Sequence, residues 1–247
     1  MKEIHSPQNK YIKKLAKLNT KNDILQKGIF LVEGKNLVYE AIKEGIVNNL
    51  LTTDLSVYED EKNLHKTLVN PRVISKLSKN KTNRGIIAVC NYKPTPIELE
   101  NFDKIIVLEN INNPGNLGTI IRTALAFGFE AIVTLGDSVF AFNDKVIKAS
   151  QGAVFKMPIL QLHNFELLNQ FTPYRFTLSS ESHNIDKLEI KEKKFALVFG
   201  NEANGLTREL LSSWEGKDVK ILINEKVESL NLAIAASIAI NKFKNIK

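Results

Sequence analysis

The stretch NNPGNLGTIIRTALAFGF, residues 112–129, joins a loop rich in Asn and Gly directly to an apolar helix. Pro114 fixes its own φ, and Gly115 tolerates the positive φ that a type II turn requires at its third residue. The pair therefore predicts a tight turn that presents the side chain of Asn116 outward. A loop of this kind could approach a ligand.

The helix after the turn carries one charged side chain. Its apolar residues predict a helix over 117–127, with Gly128 as a left-handed cap. Arg122 lies four residues after Gly118, and helical side chains lean toward the N-terminus. We therefore expect Arg122 to lie back over the bare glycine, toward the loop that carries Asn116.

The rest of the second half alternates between short apolar runs and helical patterns. Continuous apolar runs are typical of strands that are buried on both faces of a parallel sheet. They predict strands at 105–108, 131–135, 195–199 and 219–223. A further helix is predicted at 145–150, and an irregular stretch at 153–159. The second half is thus expected to be an α/β domain.

The first half shows a shorter β–α–β pattern. It predicts strands at 28–32, 48–52 and 85–89 and a helix at 37–42. Ser6 followed by Pro7 predicts the start of an earlier helix. Pro94 and Pro96 then disfavour regular pairing. We expect one domain over 1–93, a linker over 94–102 and a second domain over 103–247.

Composition narrows the class of protein. The 247 residues are 43% hydrophobic, as in a globular protein, and no apolar run approaches the roughly 20 residues of a membrane span. The first residues lack the apolar centre of a signal peptide, so a cytoplasmic protein is expected. Cys90 is the single cysteine, and the four His residues show no metal-ligand spacing. Neither a disulfide nor a metal site is expected.

The formal charge of +7 is concentrated in the first part of the chain. Residues 1–100 hold 17 Lys and Arg against 11 Asp and Glu, whereas residues 101–247 hold 17 against 16. Clustered lysines are typical of a surface that binds a phosphate backbone, but a solvated Lys-rich face has the same composition. The lysines that would form an RNA-binding surface include Lys10, Lys13, Lys14 and Lys17.

Two more loops of the second half carry Gly or polar residues after predicted strands. The loop GNEANG, 200–205, lacks the Lys-Ser/Thr of a nucleotide P-loop, and no G-x-G-x-x-G follows a strand. The loop 224–229 ends at Ser229, a plausible N-cap of a helix that is apolar nearly all round. Taken singly, each polar residue could serve only its own turn, cap or surface pair. Ligand sites nevertheless gather where parallel strands end.

At these residues the chain resembles the SpoU/TrmH family of RNA 2′-O-ribose methyltransferases, part of the SPOUT class. The family's three motifs resemble residues 112–129, LVFGNEANGL at 197–206 and ESLNLAIA at 228–235. KVIKASQGAVFKMP at 145–158 also follows a family pattern, and the match covers nearly all of 104–240. SPQNKYIKKL and FLVEGKNLVYEA, before residue 42, are similar to the small substrate-binding domain of many members.

The resemblance implies a fold, a cofactor and an assembly. The fold would be a trefoil-knotted α/β domain with a parallel sheet, preceded by a small α/β RNA-binding domain like a ribosomal protein. The cofactor would be S-adenosylmethionine, held by Gly200, Ile221 and Leu230, largely through their backbone. A homodimer would complete each active site.

The resemblance also implies a set of active-site side chains. The positions that match the family's polar residues are Asn116, Arg122, Glu202, Ser229 and Asn231. Two departures occur near the third motif, where Leu-Ile at 222–223 replaces a frequent Pro-Met pair and Glu225 replaces a frequent glycine. If position 225 needs positive φ, glutamate would make that conformation costly.

Methyl transfer to a ribose hydroxyl requires in-line alignment and loss of a proton from a weak acid. A guanidinium with a pKa above about 12 is a poor general base. We therefore expect Arg122 to bind the target phosphate and stabilise negative charge on the attacking oxygen, with Asn116 fixing the guanidinium. Glu202 would orient the second loop, and Ser229 and Asn231 the third.

Three other functions remain open from the sequence. A tRNA methyltransferase would carry the same motifs, and ribosomal RNA is favoured only by analogy with members that have an additional amino-terminal domain. A non-catalytic RNA-binding or ribosome assembly factor could keep the fold. A different Rossmann enzyme is disfavoured by the missing glycine signature.

Overall fold

The computed structural model describes residues 2–18, 20–80 and 85–245. The chain divides into two compact units. The first comprises Met1–Lys93 and Phe142–Lys148, and the second comprises Pro94–Ala141 and Ala149–Lys247.

The elements before residue 94 form a mixed sheet with helices. They are β1 (Lys2–Ile4), α1 (Lys10–Leu15), α2 (Lys21–Lys27), β2 (Ile29–Glu33), α3 (Lys35–Lys43), β3 (Val47–Thr52), β4 (Lys66–Val69), α4 (Pro71–Leu77) and β5 (Ile86–Asn91). The strand order among the described residues is β1-β4-β3-β5-β2. β1, β4 and β3 are parallel, whereas β5 runs antiparallel to both of its neighbours.

The predicted elements of this half are confirmed apart from shifts at their ends and one helix start. Ser6 does not cap the first helix, because Asn9 accepts a hydrogen bond from the Tyr11 amide and α1 begins at Lys10. The Ser6 hydroxyl instead accepts from the Gln8 amide in a separate turn. Gly28 precedes β2 as the left-handed cap of α2, with φ 62°, and α2 itself was not predicted.

The elements after residue 94 build a larger sheet. They are β6 (Lys104–Glu109), α5 (Pro114–Ala126), β7 (Ala131–Leu135), α6 (Asp144–Ala149), β8 (Ile159–Leu162), β9 (Thr172–Phe176), β10 (His183–Asn184), β11 (Phe195–Phe199), α7 (Arg208–Ser213), β12 (Lys217–Lys220) and α8 (Leu232–Phe243). The order among the described residues is β10-β12-β9-β11-β6-β7-β8. Every pairing in that order is parallel, as the sequence predicts.

Helices cover both faces of the central strands. Ile105, Val107 and Val198 pack on one face with Trp214, which follows α7. On the other face the Phe243 ring of α8 lies 5.5 Å from the ring of Phe195, and α8 also packs against α5. Burial on both faces explains why β6, β7 and β11 are continuous apolar runs.

Three strand predictions, 105–108, 131–135 and 195–199, are confirmed, and the fourth is wrong in part. β12 ends at Lys220, so residues 221–223 lie outside the sheet although they are apolar. Two of them line a cavity, as described below, which accounts for their apolar character. The α/β fold with a parallel sheet is thus observed, whereas the trefoil knot stays a prediction.

Among the described residues, no helix is both long enough and apolar enough to cross a membrane. Within the same residues, no group of three or more His, Cys, Asp and Glu side chains is arranged to hold a metal ion.

Candidate active site

The carboxyl ends of β6, β11 and β12 bring three loops of the second unit together. Parallel strands end at one edge of a sheet, and polar loops there are the usual place for a ligand. A cavity of about 710 Å³ lies beside the second and third of these loops. Apolar side chains such as Phe176 and Leu206 contribute to its wall together with loop residues 200–205 and 228–232.

The first loop is shorter than the sequence predicts. α5 begins at Pro114, because the Asn113 side chain accepts hydrogen bonds from the amides of Gly115 at 2.8 Å and Asn116 at 3.2 Å. The type II turn is therefore wrong: proline suits the first position of a helix as well as a turn, and Asn113 provides the cap. Asn116 lies in the first helical turn and is only 7% exposed, not presented outward.

A directed chain of hydrogen bonds joins all three loops. The Asn231 Oδ1 atom accepts from the amides of Ala233 and Ile234, so its Nδ2 group is free to donate. That group donates to Asn116 Oδ1 at 3.0 Å, and Asn116 Nδ2 donates to Glu202 Oε1 at 2.9 Å. Backbone amides only donate and an ionised carboxylate only accepts, so both ends of the chain fix the orientation of the two amides.

The second loop closes on itself over Gly200. The backbones of Asn201 and Gly205 exchange two hydrogen bonds, at 3.0 and 2.9 Å, and Gly205 adopts φ 67°. The Asn201 side chain accepts from the amides of Ala203 and Asn204 inside this turn. A Cβ on Gly200 would lie 2.1 Å from the carbonyl carbon of Gly205, so only glycine fits there.

The end of β6 anchors the second loop at two points. Asn201 Nδ2 donates to the carbonyl of Asn110 at 2.8 Å. The Glu109 carboxylate, 7% exposed, accepts from the Thr207 amide at 2.8 Å and from the Thr207 hydroxyl at 2.6 Å. These contacts were not predicted from the sequence, although an acidic residue at the end of an apolar strand is a signal for them.

The third loop brings two of the predicted cofactor residues to the cavity, and its helix cap differs from the predicted one. Ile221 and Leu230 line the cavity together with Gly200. Ser229 also lines it, but Asn231 caps α8, so the predicted cap at Ser229 is wrong. Glu225 is not among the described residues with positive φ. The conformational cost expected for a glutamate with positive φ at this position therefore does not arise.

Arg122 is exposed on α5, and its side chain makes no hydrogen bond or ion pair with any other described residue. The expected contact with Asn116 is wrong: both polar ends of that amide are engaged by Glu202 and Asn231. The two residues are six apart on the helix, which turns them by about 240° and places them on different faces. The guanidinium is thus available to a group from outside the described chain.

The predicted RNA-binding lysines lie in the first unit, on α1 and just after it. Ile12 and Leu15 are buried, whereas Lys10, Lys13, Lys14 and Lys17 are exposed. The lysines therefore lie off the buried apolar side of α1.

Comparison with known proteins assigns the class of this fold and site. The model of the SpoU rRNA Methylase family matches residues 103–241, and the model of the MRM3-like substrate binding domain matches residues 9–88. The chain is a member of the SpoU rRNA methylase family, with a substrate-binding domain of the MRM3-like type ahead of the methylase domain.

Particular relatives match from three quarters of the chain to nearly all of it. The 23S rRNA (guanosine(2553)-2′-O)-methyltransferase RlmP of Bacillus subtilis strain 168 is 30% identical over 246 residues, or 97% of this chain and 98% of the relative. The 23S rRNA (adenosine(1067)-2′-O)-methyltransferase of Streptomyces laurentii is 26% identical and covers 76% of this chain and 73% of its own length. The crystal structure of an AdoMet-bound rRNA methyltransferase from Sinorhizobium meliloti superposes with a TM-score of 0.86 at 26% identity, covering 98% and 96% of the two chains.

Proposed function

We propose that this chain transfers a methyl group from S-adenosylmethionine to a ribose 2′-hydroxyl of ribosomal RNA. The observation that carries the proposal is the chain from Asn231 through Asn116 to Glu202, which joins three loops beside the cavity. Two relatives that match three quarters or more of this chain are named as 23S rRNA 2′-O-methyltransferases. They favour ribosomal RNA over tRNA as the substrate.

The cavity fits the cofactor in size and in chemistry. Its volume of about 710 Å³ lies in the range of small-molecule sites. Ile221 and Leu230 offer apolar surface to a flat ring, and because β12 ends at Lys220 the backbone at Ile221 is outside the sheet. Gly200 keeps side-chain atoms away from the second loop's backbone. S-adenosylmethionine supplies an electrophilic methyl group when it is bound.

Arg122 binds the phosphate next to the target ribose and stabilises negative charge that develops on the attacking oxygen. Its guanidinium has no described partner to displace, and an arginine side chain keeps its positive charge in proteins. The hydroxyl proton passes to phosphate or water. Glu202, held by Asn116, orients the second loop. Asn231 holds the first turn of α8, and Ser229 places its hydroxyl at the cavity.

The RNA is bound outside the active site by the lysines of α1, which contact phosphates without reading sequence.

The active enzyme is a homodimer that works in the cytoplasm. Ile234 and Ile238, 51% and 40% exposed, lie on the same side of α8 as Asn231 and offer an apolar surface to a second copy. Sedimentation of the wild type against Ile234→Lys/Ile238→Lys tests the dimer: a monomeric wild type would contradict it.

The reaction is tested by transfer of labelled methyl groups to total rRNA and, separately, to total tRNA. We expect label in rRNA alone. Label in tRNA alone would replace the substrate with tRNA. Cofactor binding without label in either pool would favour a non-catalytic RNA-binding factor and overturn the proposal.

A further inference from the structure

Two helices of the first unit carry cations that have no described partner. Among the described residues, none of these side chains has a hydrogen-bond or ion-pair partner, and all six residues are exposed. On α1 and directly after it they are Lys10, Lys13, Lys14 and Lys17; on α4 they are Arg72 and Lys76.

The sheet places these two helices side by side. β1 pairs with β4 in parallel; α1 follows β1 after five residues, and α4 follows β4 after one. Ile12 and Leu15 of α1 are buried in one apolar cluster with Val73 and Ile74 of α4. Since the apolar sides of both helices pack into the same cluster, their cationic sides face solvent next to one another. Arg72 and Lys76 are one helical turn apart on one face of α4.

Two separate stretches of sequence without acids meet at this surface. Residues 4–22 and 62–97 contain no Asp or Glu. Some lysines elsewhere in the unit are paired with acids: Lys43 lies 2.9 Å from Glu40, and Lys27 lies 3.6 Å from Asp23. A solvated face usually mixes charges of both signs, because a field of one sign repels itself. Unpaired cations on both helices therefore indicate an anionic partner.

We propose that α1 and α4 together bind the phosphodiester backbone of the RNA substrate, with Arg72 and Lys76 as contacts that the sequence analysis did not single out. The inference rests on the proposed function and extends its RNA-binding surface from one helix to two. Phosphate contacts of this kind position an RNA without specifying its bases.

The test compares two variants with the same change in net charge. Arg72→Gln/Lys76→Gln removes two unpaired cations from α4, and Lys27→Gln/Lys43→Gln removes two paired cations from α2 and α3. Binding of a fluorescein-labelled RNA stem–loop is measured by anisotropy from low to moderate salt, after thermal melting has shown that both variants fold. Methyl transfer to rRNA by the wild type is measured alongside.

Each phosphate contact contributes about 0.7–0.9 to the slope of log affinity against log salt concentration. We expect the α4 variant to lose about 1.5 from that slope and about tenfold in affinity at low salt, while the matched variant stays near the wild type. Equal behaviour of the two variants, with methyl transfer by the wild type intact, would overturn the inference and leave the function standing. A wild type that binds the RNA but methylates no RNA would contradict the function instead, and the comparison of variants would still decide the surface.

Discussion

Replacing Glu109 by Gln should weaken cofactor binding although the carboxylate points at no ligand. Glu109 is 7% exposed, and its two oxygens accept from the amide and the hydroxyl of Thr207 at 2.8 and 2.6 Å. Glutamine keeps the shape, and it can still accept from the amide and donate to the hydroxyl. It therefore replaces two charge-assisted hydrogen bonds by two neutral ones.

The magnitude follows from that exchange. Hydrogen bonds to charged groups contribute about 1.5–3 kcal/mol each and neutral ones about 0.5–1.5 kcal/mol, so we expect a loss of about 2 kcal/mol in the free energy of unfolding. In a chain of this size the loss corresponds to a fall of about 4–8 °C in Tm. Thr207 lies two residues after Gly205, so a loosened anchor also disorders the loop at the cavity. If about 1.4 kcal/mol of the loss is felt there, cofactor affinity falls about tenfold.

A matched control lies at the opposite end of the same strand. The Glu130 carboxylate accepts from the amides of Asp103 and Lys104 at the start of β6, far from the cavity edge. Calorimetry with S-adenosylmethionine, combined with thermal melting, is run on Glu109→Gln and Glu130→Gln. We expect both to melt earlier and only the first to bind the cofactor more weakly. Equal cofactor affinity in the two variants would refute the anchoring role of Glu109.

Three further changes test other parts of the structure. Gly200→Ala would place a Cβ 2.1 Å from the Gly205 carbonyl carbon, so overpacking of about 1–3 kcal/mol should lower cofactor affinity ten- to a hundredfold in calorimetry; unchanged affinity would refute the close approach. Asn116→Leu breaks the chain between Glu202 and Asn231 and should reduce methyl transfer more than Thr123→Leu on the same helix, whereas equal rates would contradict its role. Burial raises the pKa of Glu192, but hydrogen bonds from Lys217 and Tyr174 outweigh it and lower the pKa from 4.5 to about 2. A carboxylate with a depressed folded pKa stabilises the fold above its ordinary pKa and loses that effect as pH falls from about 4.5 to about 2. Wild-type Tm should thus fall more steeply than that of Glu192→Gln in this range, and parallel curves would show that the pairing does not stabilise the fold.

The central strands could be predicted from the sequence because burial on both faces requires a continuous run of apolar residues. The runs 131–135 and 195–199 coincide with β7 and β11. β9 was missed because it holds Arg175 in the sheet. That guanidinium is 8% exposed and is bound by Asp218 and by the carbonyls of Leu211 and Trp214, all distant in sequence. A local sequence pattern cannot predict hydrogen-bond partners that are distant in the sequence.

In the candidate site, too, the sequence indicates individual residues but not the long-range contacts between them. The polar residues were identified by resemblance, but their connections were not, since Asn116 and Asn231 are joined only after the chain folds. Asn113 and Pro114 suit a turn and a helix start equally well, so the sequence alone could not decide between them. Ile221 and Ile223 are apolar because they line a cavity, not because they lie in a sheet.

The most direct test of the account is the transfer of labelled methyl from S-adenosylmethionine to total rRNA by the wild type, Arg122→Lys and Arg122→Ala. We predict label on ribose 2′-oxygens of rRNA with the wild type, a marked loss with Arg122→Lys because a point charge does not replace a planar fork, and none above background with Arg122→Ala. Near-normal transfer by Arg122→Ala would contradict the role of Arg122, and absence of transfer by a wild type that binds the cofactor would contradict the proposed reaction itself.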